Sequence, residues 1–564
     1  METNPVPKGA SVALIENDGP LREALVLFLR VKGWWVDTFG SGEESAGVVS
    51  WGEYAVVICN FSLPRENGLS VRLPRPRPDD WVFEPGAAIA RRPVPRADHA
   101  ELETCAPCHA RRSTLREGRL PGEPLLDTHL PSLLGPGLYE ADGQMRDEVY
   151  TYGSFLQSPM HAAGVTCSDC HDPHSLALRE EGNALCGQCH LPEAFDTAAH
   201  HHHKASSPGA QCVACHMPAR TYMVIDERHD HSFRVPRPDL SVALGTPNAC
   251  SDCHAERPVE WAAEAAARWF PGGRAGTPHY AQALEAGRRS DPGAEDALLR
   301  LASDRGQPAI ARASAYELLR PQGSGTAVAV GAALAEADPL VRIGALEAAA
   351  QLEAGLRLAA AGPLLRDPLL AVRISAARAL ADVPPELWRP ADRSALGEAL
   401  AEYRAAQLVH ADRPEARVSL GSLHALFGEL EAARREYEAA LLLAPWFVPA
   451  YVNLADLERA AGRDPEAEVL LRRALDLAPD LAEPHYALGL ALVRLKRHAE
   501  ALPELERAAA LAPGEPRYAF TWALLLRDQG DRTAATKVVR GLLARSPDDA
   551  DARALLAELE AAPR

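Results

Sequence analysis

Five copies of one short motif constrain this chain more than any other feature. Ten of its eleven cysteines lie in Cys-x-x-Cys-His motifs, and only Cys59 stands outside them. The motif cysteines are Cys105 and Cys108, Cys167 and Cys170, Cys186 and Cys189, Cys212 and Cys215, and Cys250 and Cys253. The histidines that follow them are His109, His171, His190, His216 and His254. Neither a disulfide framework nor a zinc ribbon requires a histidine after every second cysteine.

This spacing is the signature of c-type haem attachment. Each of the two thiols can bond to a vinyl group of the same haem, and the adjacent histidine then binds the iron as its proximal ligand. A single Cys-x-x-Cys pair is also typical of zinc or thiol redox sites. Five copies, each with its histidine, instead predict up to five covalently attached haems c.

Each haem iron has a sixth coordination position, and the same region contains further histidines. The candidates for this position are His161, His174, His229 or His231, and one or two histidines of the run from His200 to His203. Within that run, His201 and His202 are the predicted ligands. We expect His174 to bind a neighbouring haem, since it lies only three residues beyond a proximal histidine. Methionine thioethers are more typical of packing, so the methionines of this region rank below the histidines. Basic residues that can pair with haem propionates are Arg111, Arg112, Lys204, Arg220, Arg234 and Arg237.

The C-terminal part of the chain is rich in alanine and leucine and repeats with a fixed period. Pro445, Pro479, Pro513 and Pro547 are each separated by 34 residues, and alanine and leucine positions keep the same register. Glycines mark the turn between paired helices, and Lys496 replaces glycine in one copy. This is the tetratricopeptide (TPR) pattern, predicted over residues 405–563. Over residues 285–390 a looser repeat of arginines after helix-opening prolines predicts HEAT-like helix pairs.

Several segments of the Cys/His region resemble a known family. "SPMHAAGVTCSDCHDPHS", "GNALCGQCH", "QCVACHMPAR" and "TPNACSDCH" are similar to multihaem cytochromes of the cytochrome c-554-like type that carry C-terminal HEAT and TPR repeats. The resemblance implies haems with two histidine ligands, electron transfer, a periplasmic location and a repeat tail that docks redox partners.

Residues 1–74 resemble part of a response-regulator receiver domain. The resemblance places the acidic pair on Glu16 and Asn17 and the phosphate acceptor on Asn60. Asparagine cannot form an acyl phosphate, so no phosphorylation is expected. Receivers are cytoplasmic whereas c-type haems are attached outside the cytoplasm, and the N-terminal residues carry no export signal pattern. We therefore expect a truncated, fused cytochrome gene.

The predicted fold class is multidomain. A partial α/β receiver-like segment (residues 1–74) precedes a haem-rich, mostly irregular and α-helical cytochrome region (75–272) and an all-α solenoid. A net charge of -18 disfavours nucleic acid as a partner, and no apolar run is long enough to span a membrane. The sequence predicts an electron carrier between protein partners. Two alternatives stay open: a multihaem oxidoreductase acting on a small nitrogen or sulfur compound, and a cytoplasmic scaffold whose Cys/His sites are unfilled or hold zinc.

Overall fold

The structure is a computed structural model. It describes residues 80–96, 99–119, 122–172, 177–320, 324–547 and 549–561, together with the backbone of three short strands nearer the N-terminus. These strands are β1 (Ser11–Ile15), β2 (Trp35–Phe39) and β3 (Val56–Cys59), and they form a parallel sheet in the order β2-β1-β3. Glu16, Asn17 and Asn60 lie outside the described residues. The receiver resemblance therefore stays a prediction.

The chain folds into two compact units. The first contains Met1–His109, Glu117–Asp127 and Ala163–Asp196, and the second contains Ala110–Arg116, Thr128–Ala162 and Thr197–Arg564. Three attachment motifs therefore belong to the first unit, and two belong to the second together with the helical repeats. The predicted cytochrome region, residues 75–272, thus contributes to both units. The division of the chain into four domains remains a prediction.

Short helices and irregular segments make up the Cys/His region, as its composition predicts. The helices are α1 Ala100–His109, α2 Tyr152–Phe155, α3 Pro159–Ala162, α4 Cys167–Cys170, α5 Asn183–Gly187, α6 Pro192–Phe195, α7 Ala198–His201, α8 Cys212–His216, α9 Pro238–Leu244, α10 Ala249–Cys253 and α11 Val259–Trp269. Two small antiparallel pairs accompany them: β4 (Arg112–Thr114) with β5 (His129–Pro131), and β6 (Ala219–Tyr222) with β7 (Asp226–His229). Each motif lies wholly or partly on a helical turn, which sets its two cysteines on one side.

From residue 280 the described chain is helical. The helices are α12 Tyr280–Arg289, α13 Ala294–Ser303, α14 Ala309–Leu318, α15 Ser324–Ala333, α16 Pro339–Ala349, α17 Ala354–Ala361, α18 Leu370–Leu380, α19 Pro390–Leu408, α20 Pro414–Leu426, α21 Leu430–Leu443, α22 Val448–Ala460, α23 Asp464–Leu477, α24 Ala482–Arg494, α25 His498–Leu511, α26 Pro516–Asp528, α27 Arg532–Arg545 and α28 Ala550–Glu560. Among the described residues, no helix is long and apolar enough to cross a membrane.

An arginine ladder joins successive helix pairs in the first part of the solenoid. Arg312 forms an ion pair with Glu336 (2.9 Å), Arg342 with Asp367 (3.1 Å), and Arg373 with Glu402 (2.7 Å). Each arginine thus contacts a carboxylate that lies further along the chain. The predicted arginine repeat has a structural role here, and the HEAT assignment remains a prediction.

The second part of the solenoid follows the predicted 34-residue period. Helices α20, α22, α24, α26 and α28 begin one period apart, and all but the last are followed by a second helix of the same repeat. The small register positions Ala440, Ala474 and Ala508 are fully buried, so adjacent helices approach closely there. This helical-repeat solenoid resembles the TPR architecture.

Candidate functional site

In the first unit, α1 and α4 hold two motifs against each other. The Glu101 carboxylate on α1 accepts hydrogen bonds from the Ser168 backbone N–H (2.6 Å) and hydroxyl (2.8 Å). Asp169 accepts from the Thr166 N–H at 2.8 Å, which caps α4, and forms an ion pair with Arg96 at 3.0 Å. Since Ser168 and Asp169 are the two middle residues of the second motif, these bonds fix that motif in place.

The thiols of these two motifs are in contact. The hydrogen bond between Cys167 and Cys105, together with burial, raises the pKa of the Cys167 thiol above its ordinary value. The same hydrogen bond lowers the pKa of Cys105. Burial, and then the charge of nearby His109, lowers the pKa of His171. Two motifs that are distant in sequence therefore lie side by side in the first unit.

The third motif pairs with the extended segment that precedes α1. The Ala90 N–H donates to the Cys189 carbonyl (2.8 Å), and the Leu191 N–H donates to the Ala88 carbonyl (2.9 Å). Burial, with smaller effects from neighbouring charges, raises the pKa of Cys170 and of Cys189 to about 11. Residues 80–96 therefore fold together with the second and third motifs of the first unit.

In the second unit, α8 and α10 carry the last two motifs. Asn248 caps α10 by accepting a hydrogen bond from the Ser251 N–H at 3.2 Å. Burial raises the pKa of the Cys215 thiol, and the charges of Cys250, Cys212 and Cys253 add to the effect. Helices α8 and α10 are in contact, so these two motifs also lie near each other.

The fourth proximal histidine is oriented by a backbone carbonyl. His216 Nδ1 donates to the Arg234 carbonyl at 2.8 Å, which leaves Nε2 as the nitrogen that can bind a metal. The Arg234 guanidinium is in turn held by Asp230 at 3.2 Å and Asp142 at 3.6 Å. Tyr280 on α12 donates to the Asp142 carbonyl at 2.8 Å, so this buried cluster also joins the Cys/His region to the first helix of the solenoid within the second unit.

The four-histidine run lies near the motif histidines of the second unit. The ring centroids of His200 and His216 are 6.2 Å apart, and those of His203 and His254 are also 6.2 Å apart. His202, in contrast, stacks on Trp269 with centroids 4.3 Å apart. The structure therefore brings His200 and His203 near motif histidines, whereas the sequence prediction chose His201 and His202.

The other predicted distal histidines occupy different places. His161 packs edge-on against Phe155 (5.3 Å between centroids), and His231 packs edge-on against Phe233 (5.8 Å). His229 Nδ1 donates to the Met217 carbonyl at 2.7 Å, and His231 Nδ1 donates to the His229 carbonyl at 2.9 Å. His174 lies outside the described residues. The roles of these four histidines stay predictions.

Arg220, Arg234 and Arg237, which were predicted to pair with propionates, have protein partners. Arg234 is bound by two aspartates, Arg237 forms an ion pair with Asp239 at 2.7 Å, and Arg220 donates to the Met145 carbonyl at 2.9 Å. Arg111, Arg112 and Lys204 are exposed. The contribution of Arg234 through its carbonyl was not predicted, because no sequence pattern links it to His216.

The donor set fits haem c. Each motif offers two thiols and a histidine, and the ten motif cysteines are free of disulfides. Within the described part of the chain, no three His, Cys, Asp or Glu side chains converge on one metal position. A haem needs only two protein ligands on its iron, since the porphyrin supplies the remaining nitrogens.

Comparisons with known families match two short parts of the chain. Residues 159–195 match the family described as "Doubled CXXCH motif", and residues 481–558 match the N-terminal domain of the ESX-1 type VII secretion system protein EccA1. None of the curated proteins compared with the chain matches it. The doubled motif indicates covalent haem c binding, which is typical of proteins outside the cytoplasm.

Solved structures that are similar to the chain are helical-repeat proteins. They include YrrB, a TPR protein with an unusual peptide-binding site (24% identity, 26% of this chain and 76% of that chain, TM-score 0.24). MamA (20%, 29% and 98%, 0.25) and a thermophilic TPR protein in Thermus thermophilus (23%, 30% and 94%, 0.26) are others. The 34-residue period and the paired helices of residues 414–560 are the features of this chain that are typical of the TPR fold. The chain thus combines a paired CXXCH haem-attachment region with a TPR-like solenoid.

Proposed function

We propose that the chain is a multihaem c-type cytochrome that carries electrons between protein redox partners outside the cytoplasm. The observation that carries this proposal is the grouping of the attachment motifs within each unit. In the first unit the Cys105 and Cys167 thiols are hydrogen-bonded, and in the second the helices α8 and α10, which carry the last two motifs, are in contact. A bound haem iron supplies one-electron redox chemistry. Motifs grouped in this way favour transfer of single electrons from one site to the next.

The protein residues have three tasks in this function. The motif cysteines bind the haem covalently, the motif histidines bind the iron, and hydrogen bonds such as that from His216 to the Arg234 carbonyl fix the ring that binds it. Electrons enter from a one-electron donor protein and leave to an acceptor protein, so no substrate bond is made or broken. This division of tasks favours a carrier over the alternative of an oxidoreductase, which requires an iron with an open position.

The acidic helical-repeat solenoid is the proposed docking surface for one of these partners. Repeat solenoids present extended surfaces to other proteins, and acidic residues outnumber basic ones over the whole chain, whose net charge of -18 favours partners with basic patches. Docking of this kind is expected to weaken as ionic strength rises, because exposed charges are screened. The resemblance to cytochromes of the c-554-like type with HEAT and TPR repeats supports the same assignment.

The test is the haem content of the full chain, produced behind an export signal in a host with c-type haem maturation. Intact mass is expected to show covalent haem on the wild type. The double variant Cys212→Ser/Cys215→Ser is expected to lose one haem, while Cys59→Ser, the matched control outside the motifs, loses none. Reduction by a small electron donor and reoxidation by an oxidised cytochrome would then be followed spectroscopically. Protein that carries zinc and no covalent haem would overturn the proposal in favour of the scaffold alternative.

A further inference from the structure

Both proximal histidines of the second unit face a histidine of the run His200–His203. The rings of His200 and His216 are 6.2 Å apart between centroids, with an angle of 14° between their planes. The rings of His203 and His254 are also 6.2 Å apart, with an angle of 31°. Each pair thus combines one motif histidine with one member of the run.

The common distance matches the spacing of two imidazoles on opposite sides of one metal ion. A bond from histidine nitrogen to a transition metal is about 2 Å long and the ring centre lies about 1 Å beyond the nitrogen, so such centroids lie about 6 Å apart. Rings in direct face contact lie closer, as His202 and Trp269 show at 4.3 Å and 13°. The His200–His216 and His203–His254 pairs therefore have the centroid separation expected of two histidines that bind one iron.

Hydrogen bonds distinguish His203 from its neighbour His201. His203 Nδ1 lies within hydrogen-bond distance of the His201 carbonyl, which can only accept, so Nδ1 carries the proton and Nε2 has the lone pair. His201 Nδ1 accepts from the His203 backbone N–H at 3.1 Å, so neutral His201 carries its proton on Nε2. His203 thus has the tautomer of a ligand that binds through Nε2, and His201 does not.

The backbone of the run sends its side chains in different directions. Helix α7 ends at His201, and His202 follows in the left-handed conformation with φ of 57°. His202 is held by its stacking on Trp269, and Phe270 packs edge-on against both His200 and His202, with centroids 5.8 Å apart in each case. Because Trp269 ends α11 and Phe270 follows it directly, this helix anchors the turn at His202. The turn separates His200 from His203.

We propose that His200 is the distal iron ligand of the haem attached at Cys212 and Cys215, and that His203 is the distal ligand of the haem attached at Cys250 and Cys253. A single run of four histidines then binds two irons, while His201 and His202 position the run. This assignment rests on the proposed function, since it requires covalent haem at both motifs. It replaces His201 and His202, which the sequence alone favoured.

The test uses the full haem-loaded chain with four single variants. His200→Ala and His203→Ala are each expected to convert one haem from low-spin to high-spin in the electron paramagnetic resonance spectrum, and together to convert two. His201→Ala and His202→Ala are the matched controls from the same run, and they are expected to leave every haem low-spin. His200→Met is expected to restore the low-spin signal and raise the midpoint potential of that haem, because a thioether replaces an imidazole.

Intact mass separates the two ways in which the assignment can fail. Full haem content with unchanged low-spin signals in His200→Ala or His203→Ala would overturn the ligand assignment and leave the proposed function intact. A high-spin signal in His201→Ala or His202→Ala at full haem content would likewise overturn it. Absence of covalent haem from the wild type would overturn both. Full haem content with one new high-spin haem in each of the two predicted variants supports the assignment.

Discussion

Substitution of Gly209 tests the position of His203 without changing any histidine. Gly209 lies in a short 3-10 turn that begins at Pro208, and its backbone lies beside the His203 imidazole. A Cβ atom at Gly209 would lie 2.5 Å from His203 Cδ2 and 2.8 Å from both Cγ and Nε2. Because these distances are similar, the added methyl group would lie over the face of the ring.

The size of the disturbance follows from these distances. Carbon atoms in contact are about 3.5 Å or more apart, so Gly209→Ala requires the ring or the backbone to move by about 1 Å. An iron–imidazole bond of about 2 Å does not tolerate a lateral shift of this size without weakening. We therefore expect Gly209→Ala to weaken the bond from His203 to the iron, with partial conversion of one haem to high-spin and a changed midpoint potential.

The matched control is Gly272→Ala, at which a Cβ atom would meet no other atom within 4 Å. Electron paramagnetic resonance spectra and redox titrations of the wild type and both variants would be compared after intact mass has shown equal haem content. Only Gly209→Ala is expected to change. Identical spin states and midpoint potentials in all three proteins would refute the reasoning, since His203 could not then be both a ligand and in contact with Gly209.

Three further predictions concern stability and can be measured by denaturation of the full chain. Lys496 adopts the left-handed conformation (φ 60°) at the position that Gly462 occupies in the preceding repeat. Lys496→Gly is therefore expected to stabilise the solenoid by about 1 kcal/mol, and Gly462→Lys is expected to destabilise it by a similar amount. Burial, then the charges of nearby arginines, lowers the pKa of His279 to about 4, and its Nδ1 accepts from the Ala281 N–H. In the unfolded chain the His279 imidazole takes up a proton below about pH 6.5, whereas in the folded chain it does so only near pH 4. The free energy of unfolding is therefore expected to fall as the pH drops between these two values. The variant His279→Asn is expected to lose this part of the pH dependence. Arg234→Met is expected to lower the free energy of unfolding by about 3–5 kcal/mol, because it leaves the buried Asp142 and Asp230 without their cation. The exposed control Arg268→Met is expected to change it by less than about 1 kcal/mol. Equal effects of the two substitutions would contradict the burial argument.

The sequence by itself determined the chemistry of attachment and the period of the solenoid. Covalent haem attachment requires two cysteines and a histidine within five consecutive residues, so the motif is complete in the local sequence. The TPR-like repeat is similarly local, because each helix pair contacts mainly its neighbours and repeats the same positions every 34 residues. Even the exception was visible, since Lys496 replaces a glycine and adopts the same positive φ.

Only the tertiary structure decided which side chains from distant parts of the sequence meet. Four consecutive histidines are chemically identical, and it is the turn at His202 that brings His200 near His216 and His203 near His254. The Arg234 carbonyl bonded to His216 follows from the same long-range packing. Ligands on the distal side of a haem come from any part of the chain that folding brings there, so their spacing in sequence is unconstrained, whereas the proximal ligand is fixed by its adjacent cysteines.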